Sequence, residues 1–233
     1  MQQRGFGKMI RYVIGFALAV LCSVIGTLSL RIDWEKYISK ETGLSIKHTL
    51  NRKISRTEIV GIVFCLCFSL VIVSLFQLYH YSAMKTYKDV VLVCFMFYIA
   101  MIDCKFKLIP SLLIRIMFVV RIAFLLIEIM VYSEYGMQLF ISAIGGLVMS
   151  FIVMILGYFI SRKSLGMGDV RLLTLVGFYL GSSAIYAEML LAFFLSAIVG
   201  LILIALKKMK MRDVMPFAPY VAISVLVVVL VGF

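Results

Sequence analysis

Two aspartates stand where carboxylates could do chemistry. Asp103 ends an apolar run that continues as Cys104, Lys105, Phe106, Lys107, Leu108, Ile109 and Pro110, while Asp169 opens another after Gly166, Met167 and Gly168. Two carboxyls within a few ångströms of each other cannot both ionise easily, so one keeps its proton. Such a pair supplies a base to activate water and an acid to polarise a peptide carbonyl. Gly166 and Gly168 would let the chain pass close to a neighbour or a bound peptide. Plainer readings exist for the same residues. Asp169 after Gly168 can cap a helix, and Asp103 can pair with Lys105 or Lys107.

The other acids are more conventional. Asp33, Glu35, Glu41, Asp89, Glu134 and Asp213 fall in loops or at the edges of apolar runs. Glu58 and Glu188 stand at expected helix starts, where an acid complements the helix dipole. Glu128 lies deep in an apolar run with Arg121 seven residues earlier on the same helical face, and such a charge is either functional or part of an internal pair. The five cysteines form no Cys-x-x-Cys pair, so they read as small packing residues and no metal is expected.

The elements that must position these residues are membrane helices. Of 233 residues, 64% are hydrophobic and 15% charged, with a mean hydropathy of +1.13. Soluble chains are about half apolar and a quarter charged. That excludes a secreted disulfide scaffold, a disordered regulator and a water-soluble nucleotide enzyme. The expected class is an all-α polytopic integral membrane protein of about eight transmembrane helices. The expected spans are 9–30, 58–81, 89–102, 109–132, 137–160, 170–187, 188–206 and 216–233. Segment 31–57 reads as a basic, partly amphipathic stretch against the headgroups. It divides the chain into 1–57, a first span plus this segment, and 58–233, a helical core.

The net charge of +12 would suggest nucleic acid in a soluble protein, but cytoplasmic loops of membrane proteins also collect Lys and Arg, and no nucleic acid is expected. With the N-terminus outside, the inside loops hold 15 Lys and Arg and the outer side five. Both termini are therefore expected to face out, with Asp103 and Asp169 together at the cytoplasmic ends of their helices.

At these residues the chain resembles the type IV prepilin peptidases. Their first motif, an Asp followed six residues later by Ile-Pro-Asn, is met by Asp103, Ile109 and Pro110, with Ser111 where Asn is usual. Their second, Gly-x-Gly-Asp-x-Lys-Leu, is met by Gly166, Gly168, Asp169 and Leu172, with Arg171 for Lys. A weaker likeness joins Pro216, Phe217, Ala218, Pro219 and Tyr220 to the family's Pro-Phe-Gly-Pro segment. Residues 26–31 resemble the end of the larger members' first span. The zinc module those members often carry is missing, because no cysteine lies between Cys22 and Cys65.

The resemblance implies an aspartic endopeptidase with Asp103 and Asp169 catalytic, and with Gly166, Gly168, Pro110 and Arg171 shaping the site. It implies no cofactor, a multi-pass location in the cell membrane, and substrates that are prepilin-like proteins of the same lipid bilayer, cut between a basic leader and an apolar helix at the cytoplasmic boundary. The larger relatives also methylate the new N-terminus with S-adenosylmethionine, an activity not carried over here. Two alternatives stand beside it. One is a presenilin-like protease cutting within substrate helices, whose second Asp usually follows Tyr rather than Ile. The other is a transporter or inactive scaffold keeping the fold, an alternative that Ser111 and Ala218 leave open.

Overall fold

The computed structural model describes residues 2–31, 56–78, 82–160, 165–208 and 215–232. Among the described residues the chain is entirely helical. The helices are α1 (Gln2–Arg31), α2 (Arg56–Leu78), α3 (Ala83–Phe106), α4 (Ser111–Val131), α5 (Gly136–Ile160), α6 (Met167–Ala205) and α7 (Ala218–Val231). The basic stretch expected over 31–57 lies almost wholly outside the described residues. Stretches within α1, α2, α5 and α6 are long and apolar enough to cross a bilayer. The expected third span is extended in both directions, so Asp103 sits on a 24-residue helix rather than at the tip of a short one.

The chain forms two compact units, Met1–Tyr98 and Ile99–Phe233. In the first, Gly15 of α1 lies against Val73 of α2. Gly26 and Gly61 face the ring of Tyr98, leaving no room for a methyl group at Gly26. Phe64 stacks on Phe97 with ring centres 4.0 Å apart. Cys22, Cys65 and Cys94 are buried in this unit, while Cys67 is exposed.

The second unit holds both aspartates. The buried positions of α4 are Leu113, Met117, Arg121, Leu125 and Glu128, one stripe at helical spacing that puts the two charges in line with the apolar residues. The buried positions of α5 include Ala143, Gly146 and Ser150, small residues on the side that α6 approaches closely. Gly146 lies against the backbone of Gly177 and Gly181, and Ser150 against Gly177.

The longest helix doubles back. Gly181 has φ 81° and ψ 178°, a conformation open to glycine alone, and it separates residues 167–180 from 182–205. A straight helix would carry Phe193 about 36 Å from Asp169. Instead Phe193 stacks on Phe217, with centroids 5.8 Å apart, and Phe217 adjoins the residue that bonds Asp103. Glu188 bonds Ser224, so the returning limb runs antiparallel to α7. The stretches expected as separate spans at 170–187 and 188–206 both fall within α6, which reverses at Gly181, six residues earlier than hydropathy placed the break. Among the described residues four helices, rather than eight, are long and apolar enough to cross a bilayer. The first limb, 14 residues or about 21 Å, ends inside the bundle. Its terminal carbonyls need donors there, and Arg121 supplies one, its Nε donating to Phe178 O at 2.9 Å.

Candidate active site

Asp103 lies in the last turns of α3 and is buried. The helix ends just beyond it: the Lys107 N–H returns to the Asp103 carbonyl at 2.7 Å, and Lys107 takes a left-handed φ of 53°. The carboxylate accepts the backbone N–H of Ala218 at 3.0 Å and is also bonded by the N–H of Phe217. Phe217 and Ala218 are the N-cap and first residue of α7, and the first N–H groups of a helix have no partner within it. The flanking Pro216 and Pro219 have no N–H to offer. The two donors available in this short segment are thus the two that hold Asp103, and they place its charge at the positive end of α7. Among the described residues neither Lys105 nor Lys107 forms an ion pair with Asp103; the Lys105 ammonium lies over the Phe106 ring.

Asp169 is the third residue of α6, whose N-cap is Gly166. Its own N–H donates to the Gly166 carbonyl at 3.0 Å, and its carboxylate accepts the Gly166 N–H in return. This is the reciprocal half of a capping box, with an acid at N3 reaching back to the N-cap N–H. The N-cap position open to Asp169 in the sequence is instead taken by Gly166, and Asp169 serves the helix start from its third position. The charge of Asp103 reaches Asp169, so the two carboxyls lie within electrostatic range of each other.

The two sequence motifs meet physically. A β-carbon at Gly168 would lie 3.1 Å from the Ile109 β-carbon, so glycine there lets the segment before α4 rest against the start of α6. Pro110 is buried as the N-cap of α4, one residue before the helix rather than inside its first turn. Gly166 has φ −69° and ψ 135°, ordinary for any residue, yet a β-carbon there would stand 2.9 Å from Asp169 Oδ2. Glycine is present for space and not for its backbone freedom.

Arg171 is not brought to the carboxyls. Two residues beyond Asp169, it points to a different side of α6 and lines an apolar groove with Arg115. Arg121 and Glu128 form an internal ion pair at 2.8 Å, with Arg121 also over the rings of Phe178 and Tyr179. Glu188, expected to start a helix, is instead seven residues past the turn, fully buried and bonded by the Ser224 hydroxyl at 2.8 Å. The residues that motif reasoning left out of the site are Phe217 and Ala218. The signal was the Pro-Phe-Ala-Pro segment, where two N–H groups sit between prolines at a helix start. Among the described residues no cluster of three His, Cys, Asp or Glu side chains could hold a metal ion.

Over 71 residues the chain is 37% identical to the prepilin leader peptidase/N-methyltransferase of Pseudomonas putida, a stretch covering 30% of this chain and 25% of that relative. The chain thus matches a quarter of the length of this curated relative. No solved structure matches it. Residues 90–205 match the profile of the type IV leader peptidase family, a stretch that contains Asp103 and Asp169 and stops short of the α7 donors. On that match, the chain belongs to the type IV leader peptidase family.

Proposed function

We propose that this protein is an aspartic endopeptidase that removes the leader from type IV prepilin-like precursors at the cytoplasmic face of the membrane, with Asp103 and Asp169 as its catalytic pair. The observation that carries this is the holding of each carboxylate at a helix N-terminus: Asp103 by the N–H groups of Phe217 and Ala218, Asp169 by that of Gly166, with the two in electrostatic reach. Dipoles and N–H donors fixed in advance need no reorganisation during reaction. One carboxylate takes a proton from water as its oxygen attacks the scissile carbonyl carbon, and the neighbouring carboxylic acid gives its proton to the carbonyl oxygen. The resulting gem-diol then collapses: one hydroxyl returns its proton to the pair, the C–N bond breaks, and the departing nitrogen takes a proton from the pair, which ends with the one proton it began with. In this reading the single proton is shared by the pair.

In this reading both termini lie outside and the pair at the cytoplasmic end, in keeping with the excess of Lys and Arg in the inside loops. A substrate helix held in the same bilayer meets the pair already oriented. The test is co-expression with a pilin-like precursor, following the leader on a gel and the product by mass. The unaltered chain should process the precursor, and Asp103→Asn and Asp169→Asn should each reduce processing at least 100-fold (~) while still accumulating in the membrane. Processing by either variant would remove the pair from the mechanism. A product cut inside its apolar helix would favour the presenilin-like alternative, and no processing of several precursors would favour a scaffold.

A further inference from the structure

A groove of about 420 Å³ opens between α4, α5 and the first limb of α6, bordered by Arg115, Phe118, Leu147, Phe151, Arg171 and Thr174. Its walls are apolar. Even Thr174 turns its hydroxyl away, donating to the Val170 carbonyl at 2.7 Å. Arg115 and Arg171 are each the fifth residue of their helix, and those helices begin side by side where Gly168 meets Ile109. Both arginines are exposed and, among the described residues, neither forms an ion pair. Long cationic side chains lay their stems along apolar walls and keep their heads at the polar edge.

We propose that this groove binds an anionic phospholipid of the surrounding bilayer, with an acyl chain along the apolar wall and the phosphate between Arg115 and Arg171. Charge complementarity selects this occupant. Two exposed cations beside a hydrocarbon-lined groove at one end of a helical bundle suit a phosphate joined to an apolar chain. They would repel a substrate helix preceded by a basic leader. The volume falls in the range of small-molecule sites, about 300–1,000 Å³.

The experiment uses the full chain, purified in a neutral detergent and stripped of lipid, and reads bound lipid by native mass spectrometry. Dioleoylphosphatidylglycerol should be retained about thirty-fold over dioleoylphosphatidylcholine, from roughly fivefold per arginine. Arg115→Gln and Arg171→Gln should each reduce that preference about fivefold, and the double variant should abolish it. Thr174→Phe, which fills the groove and leaves both arginines in place, should cut retention of the anionic lipid at least tenfold (~). Should the arginine variants fail to accumulate, the Thr174→Phe result decides, with its thermal transition in detergent confirming that it is folded. Equal retention of the two lipids, or an unchanged preference in the double variant, overturns the proposal. Competition by inorganic phosphate alone overturns it in favour of a simple anion site. Preferential retention of a synthetic apolar helix with a basic leader overturns it in favour of the substrate.

Discussion

Gly166→Ala separates stability from chemistry at this site. The added methyl carbon would stand 2.9 Å from Asp169 Oδ2, where ordinary contact begins near 3.4 Å, so the carboxylate must retreat by about 0.5 Å. The retreating atom ends a short flexible side chain, and the backbone angles suit alanine. Folding should hardly notice, because a small loss of N-cap preference is offset by about 0.4–1 kcal/mol of reduced unfolded-chain freedom. Chemistry should notice, since the moved oxygen belongs to the proposed catalytic carboxylate and leaves its bond from the Gly166 N–H. A misplacement of about 1 Å can lower a rate 100-fold, so a shift of half that or slightly more predicts a loss of about 10- to 100-fold, or about 1.4–2.7 kcal/mol of barrier. The assay is the rate of leader removal from a pilin-like precursor in membranes, paired with a thermal transition of the purified protein in detergent. Gly157→Ala is the control, because a methyl there meets no atom within 4 Å. A Gly166→Ala protein that cleaves at the unaltered rate would refute the placement of Asp169 in the chemistry. One that fails to accumulate would show that the glycine serves folding instead.

Other perturbations address the frame around the pair. Gly181→Ala should lower stability by about 1–3 kcal/mol through its backbone angles alone, and Ser142→Ala added to it should recover only the clash, since a methyl at 181 would lie 2.6 Å from Ser142 Oγ. Arg121→Leu or Glu128→Leu alone should lower stability by about 3–5 kcal/mol by stranding a buried charge, as read from the thermal transition in detergent. The double variant should recover most of that loss and retain a deficit of about 1–3 kcal/mol, because the Phe178 carbonyl stays without its donor. Glu188→Gln keeps an acceptor for the Ser224 hydroxyl and should change stability by less than about 1 kcal/mol, whereas Glu188→Leu leaves that hydroxyl without its carboxyl partner and should lower it by about 1–3 kcal/mol. Equal effects of Gln and Leu at 188 would count against that hydrogen bond.

Much of this protein could be read along the chain, because the informative properties act over a few residues. Apolar runs announce helices, and their starts near Ser111, Gly136 and Met167 follow from proline and glycine punctuation. The two motifs singled out Asp103 and Asp169, and the spacing of Arg121 and Glu128 put them on one helical face. Three features were decided only by tertiary packing. The turn in α6 sits at Gly181 rather than after Ala187, because hydropathy is continuous through this stretch while only a glycine pressed against Gly146 and Ser142 permits the reversal. Arg121 finds its second partner in a carbonyl 57 positions away, exposed by that same reversal. The donors to Asp103 come from a helix start 115 positions further on, and nothing local to either segment specifies their meeting. A backbone N–H is the same in every residue but proline, so sequence can reveal that a donor is spare but not where it points; the packing of α3 and α7 aims it.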